Sequence, residues 1–147
     1  MCLVSIIIPS FNVEQYIGQC LDSIIVQKNN NIEIICVDDN STDNTVSIIK
    51  KYASQYDFIK VVENKTKTTG GNCRNIGLNL AQGEFVYFCD SDDYVKPNLF
   101  QQCISRIKNT NADICIFNVE CTYMEQRVQT PGSQCCNNPD VNFAKTH

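Results

Sequence analysis

Three carboxylates are crowded into four residues at Asp90-Ser91-Asp92-Asp93, directly after the apolar run 85–89. Like charges this close repel and raise one another's pKa, so the cluster persists most readily where a divalent cation or a hydrogen-bonding ligand compensates it. A surface turn that uses Asp only for its geometry is the alternative, because Asp is common in turns. These residues alone leave both interpretations open.

A second acidic pair, Asp38-Asp39, follows another largely apolar run at 32–37. Two runs typical of strands therefore end in carboxylates. In open α/β sheets, ligands bind outside the carboxyl ends of the strands, near the point where the strand order reverses. The repetition favours a ligand site at this edge of a sheet.

The elements that must position these acids follow from the hydrophobic pattern. Short apolar runs predict strands, and apolar residues at three- and four-residue steps predict amphipathic helices. Strands are predicted at 4–9, 32–37, 58–63, 84–89 and 113–123, and helices at about 13–25, 46–56, 72–81 and 97–108, with Thr42 or Asp43 as N-cap of the second helix. This alternation predicts an α/β fold with a mostly parallel sheet and helices on both faces.

Composition narrows the classes of function. A net charge of -4 argues against a protein that coats phosphates, so no nucleic-acid partner is expected. Neither a membrane-spanning apolar run nor a basic flank before the first apolar segment is present, so the expected location is the cytoplasm, free or peripheral at the inner face of a membrane. The mostly isolated Cys and the single His147 favour buried thiols in a reducing compartment and argue against structural zinc.

Four segments, in order, resemble the motifs of family 2 glycosyltransferases and cover about residues 4–100. They are Val4-Ser5-Ile6-Ile7-Ile8-Pro9-Ser10-Phe11-Asn12, Val37-Asp38-Asp39-Asn40-Ser41-Thr42-Asp43, Gly71-Asn72-Cys73-Arg74-Asn75-Ile76-Gly77 and Asp90-Ser91-Asp92-Asp93. The resemblance implies a GT-A (Rossmann-like) fold, a UDP-linked nucleotide-sugar donor and a divalent cation, Mn²⁺ or Mg²⁺. It implies metal-dependent, inverting transfer of a sugar to a glycan or lipid acceptor, as in polysaccharide biosynthesis.

In the first segment, the resemblance implies that Pro9 and Phe11 contact the sugar donor. Pro9 ends the first strand, and Phe11 offers an aromatic face on which a base could stack. The alternative is that Phe11 only packs against the first helix as a hydrophobic staple. Glu14 is a weaker candidate for donor binding, because a carboxylate in the first helical turn also complements the helix dipole.

In the second and third segments, the resemblance implies that Asp39 accepts a hydrogen bond from the imino N–H of uracil, whereas Asp38 braces the turn. Arg74 either contacts the base or diphosphate or forms an ion pair with Asp38, Asp39 or the metal-site acids. Gly70 and Gly71 allow the backbone to approach a ligand closely, although a Gly-Gly pair alone is a weak signal.

Asp90 and Asp92 form the Asp-X-Asp (DXD) pattern of the family. The resemblance implies that Asp92 holds the metal, that Asp90 acts on the ribose or through water, and that Asp93 shares the metal. The cation would neutralise the diphosphate as it leaves. Magnesium and manganese both suit carboxylate oxygens, so the sequence does not choose between them.

The general base that would deprotonate the acceptor hydroxyl is not identified. Glu120, Glu125 and Asp140 are available, but none of them matches a family motif. Residues 1–123 are predicted to form the nucleotide-sugar-binding domain and residues 124–147 an irregular, turn-rich tail, with the acceptor half missing or truncated. A partner chain or a second copy of this chain is an open alternative source of the acceptor site.

Two other classes of function remain to be weighed. A non-catalytic nucleotide-sugar-binding module is the alternative that the missing acceptor half favours. A Rossmann-type dehydrogenase would carry G-x-G-x-x-G after the first strand, but that turn reads Pro9-Ser10-Phe11-Asn12. The sequence therefore favours a glycosyltransferase or the part of one that binds the sugar donor.

Overall fold

The computed structural model describes residues 4–27 and 31–119. Over these residues strands and helices alternate along the chain. They are β1 (Val4–Ser10), α1 (Ile17–Ile25), β2 (Ile32–Asp38), α2 (Thr45–Gln55), β3 (Ile59–Glu63), α3 (Gly70–Leu80), β4 (Phe85–Phe88) and α4 (Leu99–Thr110). Residues 1–100 form one compact unit, which contains the sheet, and residues 101–147 belong to a second.

The four strands form one parallel sheet in the order β3-β2-β1-β4. β1 lies in the middle, with Val4 beside Ile32 of β2 and beside Phe85 of β4. The chain adds strands on one side of β1 and then crosses to its other side for β4. The strand order therefore reverses next to β1, and this is the point at which open α/β sheets bind ligands.

The helices cover both faces of the sheet. Right-handed crossovers place α1 and α2 on one face, and the return crossover from β3 to β4 places α3 on the other. The contacts agree with this arrangement, since α1 packs on α2 whereas α3 packs on β1 and β2. The predicted α/β fold with a parallel sheet is confirmed.

Burial on both faces explains the composition of the central strands. Ile6, Ile7 and Ile8 are fully buried in succession, as expected for a parallel strand that is covered on both sides. Gly77 allows α3 to approach β1, because a Cβ at this position would lie 2.3 Å from Cγ2 of Ile7. The last glycine of the third sequence motif is therefore a packing requirement that fixes the height of α3 above the sheet.

A polar network ties the strands together at their amino ends. Glu33 is 5% exposed, and its Oε1 accepts hydrogen bonds from Ser5 Oγ and from Gln82 N, both at 2.6 Å. Its Oε2 accepts from Lys60 Nζ at 2.8 Å. Burial raises the pKa of Glu33, but hydrogen bonds from Lys60, Ser5 and Gln82 outweigh this and lower it overall. The network joins β1, β2, β3 and the turn that leads to β4.

Two sequence predictions need correction. The second helix begins at Thr45 after Asn44, not after Thr42 or Asp43, although the Asp43 carboxylate still accepts a hydrogen bond from Thr45 N at 2.9 Å. The predicted strand at 113–123 is wrong over its described part, since 113–119 contain no strand. Apolar alternation is a weak signal for a strand, because strand formation depends on packing against cross-strand and same-face neighbours.

Several sequence predictions concern residues that the structure does not describe. The predicted domain boundary at residue 123, the tail 124–147 and the candidate bases Glu120, Glu125 and Asp140 lie outside the described residues. Within the described residues, no helix is long and apolar enough to cross a membrane. Cys20, Cys36, Cys73 and Cys89 are buried and carry free thiols, as the sequence predicted for small buried side chains.

Candidate functional site

A cleft of about 240 Å³ opens at the carboxyl edge of the sheet. Its lining comes from the end of β1, from the residues that follow β1, β2 and β4, and from the beginning of α3. The lining residues are Pro9, Ser10, Phe11, Asp39, Gly70, Cys73, Asp90, Ser91 and Asp92. Five of the predicted site residues therefore meet in one cleft, although 81 positions separate Pro9 from Asp90 along the chain.

The turn after β1 presents Phe11 to this cleft with 37% of its surface exposed. The next residue, Asn12, has a φ of 51°, in the left-handed region that Asn tolerates better than most residues. Asn12 Oδ1 accepts a hydrogen bond from Thr42 N at 2.8 Å, and Asn12 N donates to Ser41 Oγ at 3.0 Å. The turn that carries Phe11 is thus fixed against the turn that follows β2.

Asp38 and Asp39 have different tasks, as the sequence suggested. Asp38 is 2% exposed and accepts hydrogen bonds from the backbone N–H and the hydroxyl of Ser41, so it braces the turn after β2. This part of the prediction is confirmed. Asp39 instead lines the cleft, and its backbone N–H donates to Ser10 O at 2.8 Å, which joins the ends of β1 and β2.

The carboxylate of Asp39 is held by one of its two oxygens. Oδ1 accepts from Thr68 N at 2.7 Å, from Thr68 Oγ1 at 2.8 Å and from Asn64 Nδ2 at 3.1 Å, whereas Oδ2 receives none of these hydrogen bonds. Burial raises the pKa of Asp39, but the hydrogen bonds from Thr68 and Asn64 outweigh it and lower the pKa overall. Asp39 is therefore a buried, ionised carboxylate that Thr68 and Asn64 hold through Oδ1, and the thiol of Cys73 is a further side-chain partner.

Glu14 lies outside this cleft. Its Oε2 accepts hydrogen bonds from Asn44 N at 2.9 Å and from Asn44 Nδ2 at 2.8 Å, at the beginning of α2. Asp43 Oδ2 in turn accepts from Glu14 N at 3.1 Å. The exposed Glu14 side chain thus accepts one backbone and one side-chain hydrogen bond from Asn44, a structural contact at a residue that was predicted as a weaker candidate for donor binding.

The acidic segment after β4 is a turn at the mouth of the cleft. Asp93 N donates to Asp90 O at 3.0 Å, and the side chains of Asp90 and Asp92 line the cleft. The pKa of Asp93 is raised, first by loss of solvation and then by the charges of Asp92 and Asp90. The three acids therefore repel one another in this arrangement, and Asp93, although close by, is not a lining residue.

Arg74 faces the acidic segment from α3. Its Nη2 lies 2.5 Å from Asp90 Oδ1, and 37% of the Arg74 side chain and 57% of the Asp90 side chain are exposed. Of the alternatives that the sequence left open for Arg74, the structure has the ion pair with Asp90, one of the acids that were predicted to hold a metal. Because the pair is exposed to solvent, it contributes little to stability and is easily exchanged for a ligand contact.

The sequence did not predict the residues that contact Asp90 and Asp39 from within the fold. The buried thiols of Cys20 and Cys89 lie 3.8 Å apart, and both sulfurs contact Asp90 O, at 3.7 and 3.5 Å. The hydrogen bond with Cys89, followed by burial, raises the pKa of Cys20, so this thiol stays protonated. Thr68 and Asn64, which hold Asp39, were missed as well, because their neighbours in sequence give no sign of a partner 25 or more residues away.

Among the described residues, no three His, Cys, Asp or Glu side chains are grouped so as to hold a metal ion by themselves. The oxygens of Asp90 and Asp92 nevertheless share the cleft with the buried hydroxyl residue Ser91. Hard oxygen ligands of this kind suit Mg²⁺ and Mn²⁺. Magnesium in nucleotide sites is usually held by one or two carboxylates together with substrate phosphates, so two acids are a sufficient protein contribution.

Comparison with known proteins places the chain among relatives of one family. The family Glycosyl transferase family 2 matches residues 5–146, which extends beyond the motifs seen in the sequence. Glycosyltransferase GlyG of Streptococcus pneumoniae is 34% identical over 116 residues, which are 79% of this chain and 38% of GlyG. The poly(ribitol-phosphate) beta-N-acetylglucosaminyltransferase TarS of Staphylococcus aureus is 35% identical over 119 residues, which are 79% of this chain and 21% of TarS.

The crystal structure of S. aureus TarS 1–349 in complex with UDP-GlcNAc has the same fold. It superposes with a TM-score of 0.74 at 34% identity, over 84% of this chain and 37% of that one. A complex of the same TarS fragment with UDP gives a TM-score of 0.73. The chain thus spans less than two fifths of the length of these relatives.

Proposed function

The chain belongs to glycosyltransferase family 2, and from this premise we propose that it binds a uridine diphosphate sugar as the donor-binding part of a metal-dependent, inverting glycosyltransferase. The acceptor would be a glycan or a lipid-linked sugar. One observation carries the proposal: Phe11, Asp39, Asp90 and Asp92 line a single cleft, although they follow three different strands. A uridine diphosphate sugar with its metal ion requires an aromatic ring for the base to stack on, an acid that accepts a hydrogen bond from the base, and acids that bind the metal.

The uracil would be read by Asp39 and Phe11. Asp39 stays ionised because its hydrogen bonds lower its pKa, and its Oδ2 can accept the imino N–H of uracil. A hydrogen bond to a charged acceptor is about twice as strong as one between neutral groups. Phe11 offers ring surface in the same cleft for stacking of the base. The UDP and UDP-GlcNAc complexes of the related TarS fragment support uracil as the base.

The diphosphate would be bound near Asp90 and Asp92. Asp92 would hold the Mn²⁺ or Mg²⁺ ion, with Asp93 as a further acid nearby, and Asp90 would contact the ribose directly or through water. When bound, the metal supplies Lewis-acid neutralisation of the diphosphate as it leaves. Arg74, which is paired with Asp90 at 2.5 Å, would keep this carboxylate oriented until the nucleotide arrives and could then turn to a phosphate oxygen.

The transfer itself breaks the bond between the anomeric carbon and the diphosphate oxygen and forms a bond to an acceptor hydroxyl on the opposite side. The proton of that hydroxyl must pass to a general base. Glu120, Glu125 and Asp140 remain candidates in this chain, and a partner chain or a second copy remains a candidate source of the acceptor surface. The described residues supply the sugar-donor half of the reaction.

Calorimetric titration of the 147-residue chain with UDP tests the proposal. The titration is run in Mn²⁺, in Mg²⁺ and in a chelator, with ADP and GDP as control nucleotides. We expect UDP to bind in either metal, to bind more weakly in chelator, and to bind better than ADP or GDP. Absence of UDP binding in both metals would overturn the proposed function.

A further inference from the structure

Lys67 makes a contact with Phe11 that neither the sequence motifs nor the proposed chemistry uses. Its Nζ lies 3.6 Å from the centroid of the Phe11 ring. A cation within about 6 Å of a ring centroid is attracted by the negative face of the ring. Phe11 is one of the described residues that line the cleft, whereas Lys67 is not.

The segment that carries Lys67 is the same one that holds Asp39. It runs from residue 64 to residue 69, between the end of β3 and the start of α3. Asn64 and Thr68 supply all three hydrogen bonds to Asp39 Oδ1 described above. The two residues proposed to read the base, Phe11 and Asp39, therefore follow different strands but are fastened to one segment.

We propose that Lys67 is a positioning residue for the nucleobase. Its cation–π contact holds the Phe11 ring in an orientation in which the uncovered surface of the ring faces the cleft. The same contact connects the ring to segment 64–69, which also holds Asp39. The inference rests on the proposed function, because its ligand is the base of a uridine nucleotide. It goes further in assigning a role to a residue that does not touch the base.

The physical advantage is a ring that is ordered before the ligand arrives. Phe11 is 37% exposed and lies in a turn, so without Lys67 its ring would populate other orientations. If a ligand binds to only one orientation of the ring, its apparent affinity is proportional to the fraction of time that the ring spends in that orientation. For an exposed cation–π contact, the corresponding change in affinity is roughly two- to five-fold.

A direct contact between Lys67 and the diphosphate is the competing explanation, because an ammonium group on a flexible stem also binds phosphate. Uridine and UDP distinguish the two, since uridine carries the base and no phosphate. If Lys67 acts through Phe11, both ligands lose the same factor when the charge is removed. If it contacts the phosphates, UDP loses more than uridine.

The test measures dissociation constants of uridine and of UDP with Mn²⁺, by NMR titration, for the wild-type chain and three variants. Lys67→Met keeps the length of the side chain and removes the charge, Lys67→Arg keeps a cation, and Lys65→Met is a matched control on an exposed lysine of the same segment. We expect Lys67→Met to weaken both ligands by the same two- to five-fold. Lys67→Arg should restore wild-type affinity, and Lys65→Met should leave it unchanged.

A double-mutant cycle with Phe11→Leu removes the remaining ambiguity, since a general structural effect of Lys67 would persist without the ring. In the Phe11→Leu background, Lys67→Met should have no further effect on uridine. Unchanged or tighter binding by Lys67→Met, a loss confined to UDP, or an undiminished loss in the Phe11→Leu background would each overturn the inference. Failure of the wild-type chain to bind uridine and UDP would instead refute the proposed function, and the inference with it.

Discussion

The two edges of the sheet both contain a buried carboxylate that accepts three hydrogen bonds, but these bonds are distributed differently over the two oxygens of each acid. At the amino edge, Glu33 accepts hydrogen bonds on both oxygens, and one of them is paired with Lys60. At the carboxyl edge, Asp39 accepts three hydrogen bonds on Oδ1, whereas its Oδ2 receives none of them. Both acids have a lowered pKa, so both are ionised at neutral pH.

This is the difference expected between an acid with a structural role and an acid that is proposed to bind a ligand. A buried carboxylate with hydrogen bonds on both oxygens and a paired lysine has its charge compensated within the protein and little capacity left for a ligand. A buried carboxylate that is held by one oxygen keeps its orientation without losing its capacity to accept. Burial and a lowered pKa alone do not distinguish the two cases; the hydrogen-bond partners of each oxygen do.

The largest effect is expected at the amino edge, for stability. Glu33→Ala should lower the free energy of unfolding by about 2–4 kcal/mol, because it leaves Ser5, Gln82 and Lys60 without their acceptor. Glu63→Ala is the matched control, since Glu63 pairs with Lys50 at 2.7 Å on the exposed surface, where the loss should be about 0–1 kcal/mol. Urea denaturation measures both, and equal losses would contradict a structural role for Glu33.

At the carboxyl edge, the main effect is expected in binding. Asp39→Asn should weaken UDP by about 1.5–3 kcal/mol at saturating Mn²⁺, because a neutral amide replaces a charged acceptor. Asp57→Asn changes an exposed acid outside the cleft and should leave the affinity as it is. If calorimetry finds wild-type UDP affinity in Asp39→Asn, Asp39 does not contact the base and only holds the segment 64–69.

The next largest effect is expected in the metal dependence of UDP binding, for a substitution in the acidic segment 90–93. Asp92→Ala should remove most of the Mn²⁺-dependent part of UDP affinity, a loss of roughly 10- to 100-fold, since even residues that only support metal ligands contribute this much. The affinity in chelator should change little. The prediction is wrong if UDP titrations show the same ratio between Mn²⁺ and chelator in Asp92→Ala and in the wild-type chain.

The smallest expected effect is the pH dependence of stability. Because the pKa of Glu33 is lower in the folded state than its ordinary value of 4.5, its contribution to stability is fully present above that value. It is lost as the pH falls through the lower folded pKa. The unfolding free energy of Glu33→Gln should therefore fall less steeply below about pH 4.5 than that of the wild-type chain. Parallel curves in urea titrations from pH 3 to pH 7 would exclude Glu33 as a contributor.

The fold and part of the site could be predicted because their signals are local in the chain. Runs such as 4–9 and 32–37 are recognisable as buried strands from their own apolar residues, and the residues that follow them come to one edge of the sheet once the strands are parallel. The segment 113–119 shows the limit, because its apolar alternation needs a pairing partner that the sequence does not reveal. Element bounds also shifted, as at Thr45, where caps compete over a few residues.

The support of the site could not be predicted, because it joins residues that are distant in sequence. No local pattern shows that Thr68 binds Asp39, that Cys20 and Cys89 contact Asp90 O, or that Lys67 lies over Phe11. Glu14 is a further example, since its position just after the first motif made it a weak candidate for donor binding, whereas its carboxylate accepts hydrogen bonds from Asn44, 30 residues away. The order and packing of the strands determine which loops come into contact, and local sequence patterns do not show this.

Paramagnetic NMR tests the central claim, that the carboxyl edge is the nucleotide and metal site, most directly. Mn²⁺ and UDP are added to the ¹⁵N-labelled chain, and the broadening of each amide signal reports its distance from the ion. We expect the signals of Asp90, Asp92 and Asp39 to broaden first, whereas those of Glu33 and Lys60 at the amino edge stay sharp. Broadening centred on the amino edge, or spread evenly over the sheet, would contradict this assignment.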